Sequence, residues 1–72
     1  MNENAFSRLE AFETMLRSVQ ENYKITTEKM QKLKAQGKGK SATYRQFMGN
    51  KLQYQNMLSL YKLHGLIEEE DL

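Results

Sequence analysis

Seventy-two residues hold at most one domain, near the lower limit of what folds alone. The absence of cysteine excludes disulfides, cysteine-ligated zinc, iron–sulfur clusters and thiol catalysis; the absence of proline suits long helices, because one internal proline costs a helix ~3 kcal/mol. The net charge of +2 conceals a segregation, with residues 1–23 at −2, residues 24–51 at +7 and residues 52–72 at −3.

Residues 1–20 are charged throughout and lack the apolar stretch of a secretion signal. No apolar run approaches the ~20 residues that span a bilayer. The expectation is one domain over residues 1–72, cytoplasmic and without a membrane partner.

The first helix is expected over residues 2–36. Asn2 or Asn4 can cap it, or Ser7 can do so with Glu10 in a capping box, each side chain bonding the other's free backbone N–H. From Leu9 the apolar positions step by three and four: Leu9, Phe12, Leu16, Val19, Tyr23, Thr26, Met30, Leu33. This is a heptad stripe held for roughly four heptads. Its weak point is Ile25-Thr26-Thr27, three β-branched residues of low helix propensity; with no Gly or Pro to stop it, the helix is expected to pass through.

The bend is expected over residues 37–42. Gly37 suits the left-handed residue that ends a helix, and Lys29, Lys32 and Lys34 suit the negative end of the helix dipole. The second helix is expected over residues 43–64, starting at Ser41 or at Thr43, the latter with Gln46 at capping-box spacing. Tyr44, Phe47, Lys51, Tyr54, Leu58 and Tyr61 form its packing stripe, Lys51 being a snorkelling or register-setting intruder. Leu52, Leu60 and Leu63 form a second apolar strip on another side. Gly49-Asn50 is a candidate break. Gly65 ends the helix in a Schellman arrangement with Leu66, and residues 66–72 form an acidic tail.

The fold class is therefore all-α, an antiparallel two-helix hairpin. Folding about position 39 or 40 pairs Leu33 with Gln46, Tyr23 with Asn56 and Leu16 with Leu63, so that residues 1–14 overhang by ~20 Å. That overhang carries Phe6, Leu9 and Phe12, each forgoing ~1.5–3 kcal/mol of burial in water. Two helices cannot enclose a core, and dimerisation into a four-helix bundle is the expected remedy. The expected interface residues are Phe6, Leu9, Phe12, Leu52, Leu60 and Leu63. A different protein docking on the same faces satisfies the same arithmetic.

For chemistry the sequence offers little. Gly39-Lys40-Ser41 resembles the end of a phosphate-binding loop, but the glycine that loop needs five residues earlier is Lys34 and a helix, not a strand, precedes it. His64, the sole histidine, stands near a helix C-terminus where a cation is mildly favoured and suits a cap or a surface. Glu68-Glu69-Glu70-Asp71 lack the spaced ligands and turning glycine of a calcium loop. The four tyrosines fall on packing stripes, which favours core over base stacking. No catalytic, metal or cofactor residues are assigned, and no enzyme is expected. The one charged feature with binding character is the basic bend: Lys32, Lys34, Lys38, Lys40 and Arg45 suit an anion or an acidic partner. The expected function is that of a small interaction protein acting by self-association and partner docking, with weak, sequence-nonspecific nucleic-acid binding at the bend as the alternative.

Overall fold

The structure is a computed structural model that describes residues 2–67, with side chains over 5–67. Two helices, α1 (Asn2–Ala35) and α2 (Ala42–Leu63), make up the described chain, which is the expected all-helical hairpin. Of the expected acidic tail over 66–72, residues 68–72 lie outside the described residues.

From Phe12 onward the heptad stripe becomes the contact between the helices, while Leu9 is exposed. Val19, Thr26 and Met30 of α1 and Leu58 of α2 are buried, and Leu16, Tyr23, Leu33, Tyr44, Phe47, Tyr54 and Tyr61 are half-buried around them. Helix α1 runs unbroken through Ile25-Thr26-Thr27. The Thr27 hydroxyl donates to the Tyr23 carbonyl at 2.8 Å, so this polar group is satisfied within the helix. Helix α2 likewise continues through Gly49-Asn50.

Both helices end in Schellman caps. At the bend the Lys38 N–H donates to the Leu33 carbonyl at 2.8 Å and the Gly37 N–H to the Lys34 carbonyl at 3.0 Å. At the end of α2 the Leu66 N–H donates to the Tyr61 carbonyl at 2.9 Å and the Gly65 N–H to the Lys62 carbonyl at 3.0 Å. Gly37 and Gly65 supply the left-handed conformation each cap requires, at φ 76° and 72°. His64 is the C-cap residue of α2.

Ser41, not Thr43, caps α2. Its hydroxyl accepts from the Tyr44 N–H at 3.1 Å and donates to the Lys38 carbonyl at 2.8 Å. The second bond ties the cap to the bend and holds Ser41 extended, leaving Thr43 inside the first turn. Ser41→Ala should therefore destabilise the hairpin by about 1 kcal/mol, seen as a fall of about 4–8 °C in a circular-dichroism melt; an unchanged melting point would show that water replaces both bonds.

The pairing of the two helices differs from the expected one. Tyr23 lies against Lys51, Lys29 against Phe47 and Phe12 against Tyr61, whereas folding about position 39 or 40 placed Tyr23 beside Asn56 and Leu16 beside Leu63. The reversal occurs at the left-handed Gly37, and Tyr23 and Lys51 are each fourteen residues from it. The overhang is correspondingly shorter. Phe12 is covered in part by Tyr61 near the end of α2, and about 13 Å of α1 extends beyond it at 1.5 Å per residue.

Candidate functional site

One helix thickness defines the molecule. It measures 53 × 21 × 14 Å, and its two helices form a single layer with no second layer among the described residues. Both broad faces of the hairpin are therefore open. It exposes 6031 Å², where a folded chain of this mass ordinarily exposes about 4,650 Å².

Much of that surface is apolar. Phe6 is 69% exposed, Leu63 77%, Leu60 59%, Leu52 54% and Leu9 52%. Five of the six expected interface residues thus stand in the open, and the sixth, Phe12, is half-buried with its ring 5.3 Å from that of Tyr61 in an edge-to-face arrangement. Sequence reasoning passed over two more, Met15 and Met57, exposed at 54% and 47%. They fall off the heptad stripes, but each stands one helical turn from a member of the Phe12–Tyr61 pair, and that spacing was the signal available.

Lys32, Lys34, Lys38, Lys40 and Arg45 are all exposed around the bend, and none forms an ion pair among the described residues. The bend brings these five to one pole of the rod. Lys29 and Lys51 behave differently. The Lys29 ammonium lies 5.6 Å from the centre of the Phe47 ring and that of Lys51 5.9 Å from the centre of the Tyr23 ring, within the reach of a cation–π attraction. Lys51 therefore occupies its place in the packing stripe by laying its stem between the helices and its charge over an aromatic face. The sequence marked Lys51 as an intruder in the stripe; it read Lys29 as a partner of the helix dipole, and the contact with Phe47 was missed.

Among the described residues no group of three His, Asp or Glu side chains is placed to hold a metal ion. Among the described residues no buried side-chain polar atom lacks a hydrogen-bond partner. A depression on the outer side of α1, lined by Arg17, Gln20, Glu21, Lys24, Ile25 and Glu28, is shaped by that helix alone; its alternating charges at i,i+4 spacing are those of a solvated helix surface. No described helix is long and apolar enough to cross a membrane. No known protein family, curated protein or solved structure matches the chain.

Proposed function

We propose that this chain is a non-enzymatic interaction protein of the cytoplasm, a small adaptor or regulator that associates with itself and docks a partner through its helical faces. One observation carries the reading: a hairpin one helix thick, with large hydrophobic side chains exposed along both helices. Contiguous apolar surface beyond a few hundred Å² marks interaction sites on soluble proteins, and a two-helix layer lacks the second layer that ordinarily covers it. Sedimentation equilibrium over a micromolar concentration series tests the self-association. The expected mass rises above the 8.5 kDa of one chain; that mass held at every concentration would overturn it.

A second reading is favoured by the five exposed cations at the bend, which form no ion pair among the described residues. The basic pole binds nucleic-acid phosphates without reading sequence. If all five contact phosphates, the logarithm of the binding constant for a duplex should fall with that of salt concentration with a slope of about −4.5, and Lys38→Glu with Lys40→Glu should remove most of the binding and flatten the slope by about 2. Fluorescence anisotropy with a labelled duplex measures both. Equal affinity in the double variant would remove the bend from consideration.

A further inference from the structure

Large exposed hydrophobic side chains are missing from the basic end of the rod. Those of the described residues all stand at 6–25 or 48–66, eleven or more residues from Gly37. Residues 26–47 carry none of them and hold six bases against Glu28. Within the apolar half one patch is continuous across both helices. Phe12 and Tyr61 meet edge to face; Met15 follows Phe12 by three residues and Met57 precedes Tyr61 by four, spacings that make helical neighbours. Both methionines therefore lie one turn towards the bend from the aromatic pair, side by side on the same broad face, and Leu60, 59% exposed, follows Met57 by three.

We propose that this patch binds a second copy of the chain about a two-fold axis passing between the aromatic row (Phe12, Tyr61) and the methionine row (Met15, Met57). The hairpins then overlap by their open halves, and the basic bends point away from each other. The arrangement rests on the self-association proposed above and specifies its face and direction. Such an axis lays each copy's methionines on the other's aromatic rings, a favourable sulfur–aromatic contact, so the patch is complementary to itself, as an isologous interface must be. The exposed surface exceeds that of an ordinary folded chain of this mass by roughly 1,400 Å², more than the ~800 Å² per partner of a standard interface.

Charge selects this overlap from the alternatives. Side-by-side hairpins with bends together would hold two clusters of lysines within about 10 Å, the screening length at 0.1 M salt. Full antiparallel overlap would bring Phe6, Leu9 and Leu63 of each copy level with the basic end of the other, desolvating unpaired charge. Overlap by the open halves pairs apolar surface with apolar surface and separates the bends.

The absence of cysteine allows a single spin label to be placed at Lys38→Cys or at Thr14→Cys, both exposed positions, and distances between copies to be read by pulsed electron resonance. With the axis between residues 12 and 15, the Lys38 labels should lie about 70 Å apart at 1.5 Å per residue, and the Thr14 labels within about 35 Å. A dimer with Lys38 labels at about 50 Å or closer overturns the arrangement and leaves self-association standing; a monomer in sedimentation overturns both. Met15→Gln with Met57→Gln, which keeps helix propensity and nearly keeps volume, should weaken dimerisation at least tenfold with unchanged helical content. Dimerisation of wild-type strength in that variant would overturn the proposed face.

Discussion

Replacing Leu58 by alanine should destabilise the hairpin more than any other single truncation, by about 2–5 kcal/mol. Leu58 is the only side chain among the described residues with no exposed surface. It is the fifth of the six α2 stripe positions, between half-buried Tyr54 and Tyr61 and five residues before the helix ends. The cost combines the lost transfer energy with the cavity left behind. A chain of this length ordinarily has a stability of only about 4–11 kcal/mol, so the substitution removes a large share of it. Urea unfolding followed by helical circular dichroism measures the effect as a lower midpoint. Leu60→Ala is the control: with that side chain 59% exposed, its effect on the isolated hairpin should stay within about 0.5 kcal/mol. A Leu58→Ala midpoint matching that of wild type would mean that the stripe does not hold the helices together.

The stripes were legible because a helix repeats every 3.6 residues and a buried face must repeat with it. Positions Leu9 to Leu33 and Tyr44 to Tyr61 therefore announced which sides meet. They could not announce which residue meets which, because a periodic stripe looks the same after sliding by one heptad. That offset is set by where the chain reverses, and only the conformation of Gly37 fixes it; with the pivot there, Tyr23 finds Lys51 and not Asn56. The choice between Ser41 and Thr43 as the cap had a similar origin. Both residue types cap well, and the deciding bond runs from Ser41 to the Lys38 carbonyl, a tertiary consequence of the bend. Of the candidate surfaces, the five bases at the bend and the second strip of α2 were readable because a stretch without acids and a leucine set at helical spacing both survive folding unchanged. The patch around Met15 and Met57 was not, since neither residue belongs to a stripe on its own helix and the two become neighbours only through the Phe12–Tyr61 contact.

Two glycines should answer the same substitution with opposite signs. Gly37→Ala is expected to cost about 1–2 kcal/mol, the penalty for an L-residue in the left-handed region, whereas Gly49→Ala is expected to add about 0.5–1 kcal/mol, the difference in helix propensity. A Cβ at either position would meet nothing within 4 Å, so packing does not enter and backbone conformation alone sets the sign. Gly37 sits at φ 76° in the cap of α1, while Gly49 lies in the interior of α2, where glycine only adds freedom to the unfolded chain. Denaturant midpoints for the two variants, at equal slope, give both numbers. Gly37→Asn separates conformation from any other effect: asparagine enters the left-handed region more readily than alanine, so it should recover part of the loss. If Gly37→Ala proves neutral, the reversal does not depend on that conformation, and the offset that brings Tyr23 to Lys51 and Phe12 to Tyr61 must be set by the ring contacts themselves. In that case Phe12→Ala, and not the glycine variant, would be the substitution that lets the helices slide.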